Sequence, residues 1–256
     1  MRLRLASAGL LRRERVVVLL SLAGVTAIAW GYLFTARRDM DMSSSAMSDM
    51  PDMAMPFDAP WVFAMWWVMM LGMMLPSAAP MILTFDALQR RRCERGEHNV
   101  PTILFVAGYL IVWGGFSLAA TAAQAALRQG ALLTPMLALA SPVVGGALFI
   151  LAGTYQFTPL KYACLRQCRS PFAFVLNHWH DGWNGALRMG AGHGLYCLGC
   201  CWILMALLFA VGVMNLLWVA AIAVFVFAEK LLPFGVWVGR IGGCAMAAFG
   251  VFLLTQ

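Results

Sequence analysis

Long apolar runs separated by short basic stretches make up most of the chain. Seven of these runs are long enough to span a bilayer as helices, which takes about 20 residues each. They comprise residues 16–36, 60–85, 101–127, 135–157, 191–213, 215–233 and 236–254. Because open backbone is not tolerated in lipid, the pattern predicts an all-α fold, a polytopic transmembrane bundle of about seven helices.

The charged residues give this bundle an orientation. Only 11% of the residues are charged and 62% are hydrophobic, whereas a soluble domain has roughly 25% charged residues. With the N-terminus in the cytoplasm, fifteen of the 18 Lys and Arg residues lie inside, and Arg37, Arg38 and Arg128 lie outside. The positive-inside rule favours this arrangement. It predicts a multi-pass protein of the bacterial inner membrane with its C-terminus outside. The net charge of +7 is then explained by the membrane topology, and no nucleic-acid partner is expected.

The pattern divides the chain into three parts. Residues 1–36 form a cytoplasmic basic head and an anchor helix, because the apolar run is longer than that of a signal peptide and no clear A-x-A cleavage site follows it. Residues 37–59 form a flexible outer loop rich in Met and Asp. Residues 60–256 form a six-helix membrane domain that is expected to bind metal.

The outer loop contains an unusual set of thioethers. Its methionines alternate with aspartates and show no helical or strand period, and they are Met40, Met42, Met47, Met50, Met53 and Met55. Thioether is a soft ligand that suits Cu(I). The loop is therefore a candidate for metal capture, the alternative being a polar linker in which the methionines have no function.

The second apolar run carries two methionine ladders. Met65, Met69 and Met73 are spaced by four residues, and so are Met70 and Met74. Side chains four residues apart stack on one face of a helix. The ladders are candidate Cu(I) ligands, although methionine also fills irregular gaps in helix cores.

A stripe of soft ligands begins just before the fifth apolar run and continues along it. At steps of four residues it contains Met189, His193, Cys197, Cys201 and Met205, and Cys200 lies beside it. All are soft or borderline metal ligands. The alternative for any single cysteine is a small buried hydrophobic residue.

Two further cysteines follow the fourth apolar run. Cys164 and Cys168 are four residues apart among Lys and Arg residues, which favour the metal-binding thiolate. The topology places them near the inner end of the bundle, as it does Cys197, so we hypothesise that the two groups meet. No cysteine falls in a predicted outer loop, which argues against a disulfide framework.

The Glu229–Lys230 pair lies at the edge of the sixth apolar run. We interpret it as a membrane-edge pair whose charges neutralise each other. The alternative is a functional role, since ionisable groups inside a membrane often have one.

Several segments resemble a bacterial family of integral membrane proteins predicted to bind metal, some of them labelled copper chaperone-like. The resemblance covers about Pro60 to Lys230. The segments are WVMMLGMMLP (67–76), GYLIVW (108–113), TPLKYACLRQC (158–168) and GLYCLGCCWILM (194–205), followed by MN and EK. The resemblance implies a metal-binding membrane protein.

The leading hypothesis is a copper-handling membrane protein that binds Cu(I) for transfer, transport or delivery. Its expected partners are lipid, copper, and a membrane metalloenzyme or copper chaperone, and it can form an oligomer. No G-x4-GK[ST] motif supports an ATP-driven pump. One alternative is an enzyme, a thiol–disulfide oxidoreductase using Cys197 and Cys200. Another is a structural zinc or haem subunit of a membrane complex.

Overall fold

The computed structural model describes residues 2–47, 58–96, 100–134 and 137–255. Of residues 2–15, 40, 41 and 43–47 it describes the backbone only. The described residues form nine α-helices and one isolated β-bridge, between Leu133 and Leu139. The helices are α1 (Arg2–Met47), α2 (Ala59–Cys93), α3 (Thr102–Gln129), α4 (Pro142–Tyr155), α5 (Pro159–Arg169), α6 (Pro171–Asn177), α7 (Gly182–Val211), α8 (Leu216–Leu231) and α9 (Gly235–Leu254).

The all-α prediction is confirmed, but the predicted number of spans is not. Five helices are long and apolar enough to cross a membrane: Val16–Asp39 within α1, and α2, α3, α7 and α9. The fourth predicted run, residues 135–157, contains only the short helix α4, which counts as a sixth span if it is taken together with α5, from which it is bent by 64°. The sixth predicted run forms α8, whose 16 residues extend about 24 Å, less than the roughly 30 Å of a hydrocarbon core.

Proline and capping residues explain the bend. The predicted run begins at residue 135, yet α4 begins only at Pro142, where the Ser141 side chain accepts a hydrogen bond from Val144 N. α5 then begins at Pro159, and the Thr158 side chain caps it by accepting from Lys161 N at 3.3 Å. Proline cannot continue a preceding helix but is suited to the first turn of a new one.

Helix α1 extends further than the sequence indicates. It continues to Met47, so the first part of the predicted 37–59 loop is helical. Residues 48–57 lie outside the described residues, and so do the side chains of Met40 and Met47. Of the six loop methionines only Met42 has a described side chain, and it is exposed. Metal capture by this segment stays a prediction.

Helices α3 and α7 approach closely because glycines face the opposing backbone. A Cβ on Gly190 would collide with the Phe105 carbonyl oxygen, and one on Gly108 would collide with the Leu187 carbonyl oxygen. Small residues permit this kind of helix contact in membranes. The contact places the soft-ligand stripe of α7 directly beside α3, against which α2 also packs.

A buried ion pair fixes α5 against α8. Lys161 Nζ lies 2.7 and 2.8 Å from the two carboxylate oxygens of Glu229, and it also donates to Gln156 at the end of α4. The side chains of Lys161 and Glu229 are 1% and 2% exposed. Because a buried charge without a partner is strongly unfavourable, this pair holds α5 in one position.

The α3–α7 contact predicts the effect of an added methyl group. We expect Gly190→Ala to lower the free energy of unfolding by about 1–3 kcal/mol, the range for overpacked cores. Gly115→Ala on α3 is the matched control, because Gly115 is exposed and its Cβ would meet no atom within 4 Å. Thermal unfolding of both variants in detergent measures the difference. Equal stability of the two would contradict the close approach of α3 and α7.

Candidate metal centre

The soft-ligand stripe of α7 faces the interior of the bundle. Its five members are all at most 2% exposed, and so is the neighbouring Cys200. The predicted four-residue spacing is therefore realised as one buried column along α7. The five members of the column are Met189, His193, Cys197, Cys201 and Met205.

Cys197 lies at the centre of the polar contacts. Its Sγ atom is 3.1 Å from the hydroxyl oxygen of Tyr109 on α3 and 3.0 Å from Nζ of Lys230 on α8. The thiols of Cys200 and Cys201 donate to the Cys197 carbonyl oxygen at 3.1 and 3.0 Å. Side chains from three helices thus converge on one turn of α7.

The cysteines of α5 reach the same turn, as hypothesised from the sequence. The Cys168 thiol lies close enough to the thiols of Cys197 and Cys200 to interact with both. Cys164 packs against the backbone of α7 at Gly199, where a Cβ would lie 2.7 Å from its Sγ atom. We call Cys168, Cys197, Cys200 and Cys201 the thiol cluster, and Cys164 lies at its edge.

One of the two α2 methionine ladders ends at this cluster. All five side chains are at most 2% exposed, namely those of Met65, Met69, Met70, Met73 and Met74. The Sδ atom of Met74 lies 3.9 Å from Sγ of Cys201, and the Met74 carbonyl oxygen accepts from Tyr109 at 3.3 Å. Of the two ladders, the one through Met70 therefore leads to a thiol.

His193 lies one turn before Cys197 in an aromatic enclosure. Its ring stacks on Tyr109 and Phe105 with centroids 5.5 and 6.2 Å apart, and Phe174 meets it edge-on at 5.6 Å. Its Nδ1 atom is buried and has no hydrogen-bond partner among the described residues. A buried polar atom without a partner is unusual in a folded protein, and imidazole nitrogen is a metal ligand.

The Glu229–Lys230 interpretation is wrong in one respect. The two residues do not neutralise each other, because Glu229 is hydrogen-bonded to Lys161 and Lys230 donates to Cys197 and Ser77. Lys230 and Tyr109 are the site residues that sequence reasoning missed. Their signals were a charge inside an apolar run and a tyrosine within the GYLIVW segment.

The thiol cluster is not arranged as a closed metal site. Within the described ranges, no three His, Cys, Asp or Glu side chains have the geometry of a metal centre. Cys200 and Cys201 donate to a helix carbonyl oxygen instead, and all seven cysteines are free thiols. Metal binding therefore requires the Cys200 and Cys201 side chains to turn away from the Cys197 carbonyl oxygen.

Comparison with known families supplies the context for this cluster. The family model of PpoB2, described as a copper chaperone, matches residues 63–253. The chain belongs to this family. No curated protein and no solved structure matches the chain.

The copper chaperone match confirms the resemblance stated from the sequence. The matched region contains both methionine ladders, the thiol cluster, His193 and Lys230. It excludes the Met-rich segment of residues 40–55, so the family assignment is independent of that segment. Together with the long apolar helices, the assignment indicates a copper-related function in a membrane.

The meeting of α5 and α7 predicts a specific cross-link. In a variant that keeps only Cys168 and Cys200, the others being changed to Ala, we expect diamide to form an intramolecular disulfide. The reason is that the two thiols lie close together where α5 packs against α7. The matched variant keeps Cys168 and Cys244, and Cys244 is exposed on α9. Peptide mass spectrometry reads the result, and equal cross-linking of both variants would contradict the cluster.

Proposed function

We propose that this membrane protein binds Cu(I) at the thiol cluster and passes it to a partner protein. The observation that carries the proposal is the 3.9 Å contact between Met74 Sδ and Cys201 Sγ. It joins a buried column of thioethers to a buried group of thiols. Neither set alone distinguishes a metal route from core packing, because methionine and cysteine are both common in cores.

The chemistry of the donor set favours Cu(I) as the cargo. The proposed ligands are the thiols of the cluster with Cys164, the imidazole of His193, and the thioethers of Met205 and the α2 ladders. Thiolate and thioether select Cu(I), and imidazole also suits copper. Tetrahedral thiolate coordination would suit zinc, yet zinc does not account for the thioether that lies against Cys201.

The unpaired nitrogen of His193 also fits a ligand role. An imidazole that served only to pack against aromatic rings would leave a hydrogen-bonding atom unsatisfied in the core. A metal ion at the cluster would supply the missing interaction. Cysteine ligands lose their protons when they bind a metal, so loading the cluster releases the S–H bonds that Cys200 and Cys201 now donate to the Cys197 carbonyl oxygen.

The order of ligands gives the route a direction. With the orientation predicted from the charges, α2 begins outside, and the thiol cluster lies near the middle of α2 and α7, further from the outer side than Met65. Met65 and Met74 are nine residues apart, or about 14 Å along a helix. Soft thioethers hold Cu(I) more weakly than thiolates do, so the ion moves from the ladder to the cluster. The recipient is a membrane metalloenzyme or another copper carrier.

Copper content tests the site. The purified protein is expected to retain about one Cu(I) per chain, because two or three thiolates suffice for this ion. Cys197→Ser with Cys200→Ser is expected to lower that content at least about tenfold. Cys93→Ser with Cys244→Ser is the matched control, since both residues are exposed. Copper is measured by elemental analysis after dialysis against a Cu(I) chelator.

The same samples separate the thiol–disulfide alternative from copper binding. When copper is loaded and removed repeatedly under reductant, a copper protein binds the same amount of copper in each cycle, and its seven thiols stay reduced. A mixed disulfide trapped in Cys200→Ala, together with unchanged copper content in the Cys197 and Cys200 double variant, would support the oxidoreductase and overturn the copper site.

The ladder predicts a kinetic effect that differs from the effect on affinity. We expect Met74→Leu to slow Cu(I) capture by about tenfold while leaving the final copper content nearly unchanged. Leucine conserves the volume of methionine, so the fold is retained, but the thioether beside Cys201 is lost. Met246→Leu on α9 is the control, because that side chain lines an apolar cleft whose lining contains no cysteine. Time-resolved transfer from a coloured Cu(I) chelator measures both rates.

A further inference from the structure

Lys230 is a buried ammonium whose closest partners are a thiol and a hydroxyl. It is 5% exposed, and its Nζ atom lies 3.0 Å from Cys197 Sγ and 3.1 Å from Ser77 Oγ. Lysine is almost never buried to this extent without a negative partner. The neighbouring carboxylate cannot fill this role, because both oxygens of Glu229 are engaged by Lys161.

The thiol cluster is therefore the electrostatic partner of Lys230. Its Nζ atom contacts the Cys197 thiol directly, and the Cys200 and Cys201 thiols donate to the carbonyl oxygen of the same residue. Within the described part of the chain, no carboxylate forms an ion pair with Lys230. The positive charge of Lys230 is thus balanced only when the cluster carries a net negative charge.

The charge of the bound metal decides whether that balance is reached. A monovalent ion held by two thiolates forms a complex of net charge −1, which together with one ammonium is neutral. A divalent ion held by the same two thiolates is already neutral, and the ammonium then remains uncompensated unless a third thiol of the cluster also loses its proton. Uncompensated charge in a low-dielectric interior is strongly disfavoured.

We propose that Lys230 is a specificity-determining residue that makes the thiol cluster prefer a monovalent over a divalent metal ion. The inference rests on the proposed copper function and names its selectivity. Lys230 acts through Cys197, so it is a positioning and charge-balancing residue and is not itself a ligand.

Ag(I) and Cd(II) are suitable probes, because both are soft thiophilic ions and they differ in charge. The quantity to measure is the ratio of their affinities for the purified reduced protein, by competition with a chelator for each ion. In the wild type we expect this ratio to exceed that of the free dithiol dithiothreitol by about tenfold or more. A ratio no larger than that of the free dithiol would overturn the proposal without any variant.

Three variants separate charge from hydrogen bonding. Lys230→Met removes both, Lys230→Gln keeps a hydrogen-bond donor without the charge, and Lys230→Arg keeps the charge. We expect the Ag(I)-to-Cd(II) ratio to fall about tenfold in the Met and Gln variants and to stay near wild type in the Arg variant. Arg91→Gln is the control for loss of one positive charge, because Arg91 is exposed at the end of α2.

The measured affinities distinguish failure of the proposed role of Lys230 from failure of the underlying copper function. A Gln variant that behaves like wild type, or an equal loss of affinity for both ions in the Met variant, would overturn the role of charge. Failure of the underlying copper function looks different, because the wild type would then bind neither ion through Cys197 and Cys200. If Lys230→Met fails to fold, the Gln variant and the wild-type comparison with the dithiol decide the question.

Discussion

The need to compensate buried charge organises the centre of this protein. Glu229 and Lys230 are adjacent on a short helix, yet they turn to different partners: Glu229 to Lys161 on α5, and Lys230 to Cys197 on α7. Neither charge can remain unpaired in an apolar bundle without a large energetic cost. Helix α8 is thereby tied to α5 and α7, and the cysteines of those two helices are held at one level of the bundle.

Local patterns predicted much of this site. The four-residue spacing on α7 and α2 follows from helix geometry alone, so the buried stripe and the methionine ladders could be identified from the chain. The meeting of Cys168 with Cys197 could be hypothesised from topology. Two other contacts could not be predicted, because they depend on how α3 and α8 pack against α7. They are the contact of Lys230 with Cys197 and the contacts of Tyr109 with Cys197 and Met74. The late start of α4 and the bend between α4 and α5 could not be predicted, because hydropathy does not register the Ser141–Pro142 and Thr158–Pro159 helix starts.

The methionines of α2 illustrate why burial alone does not decide function. Both core packing and a metal route predict that Met65, Met69 and Met73 are inaccessible to solvent, and they are. What favours the route is the end of the second ladder, where the Met74 thioether meets the Cys201 thiol. A packing role needs only an apolar neighbour at that point, and a leucine from any adjacent helix would provide one.

A carrier must both hold its cargo and release it, and the neighbours of Cys197 suit both tasks. A Cu(I) dithiolate next to the Lys230 ammonium is a neutral assembly, which an apolar bundle accommodates well. When the ion leaves and Cys200 and Cys201 are protonated again, the cluster returns to the hydrogen bonds now seen, in which both thiols donate to the Cys197 carbonyl oxygen. The thiol hydrogens therefore have acceptors in the empty cluster, which reduces the cost of release. A closed four-cysteine cage would gain affinity but would lack this second stable arrangement, and it would suit storage better than delivery.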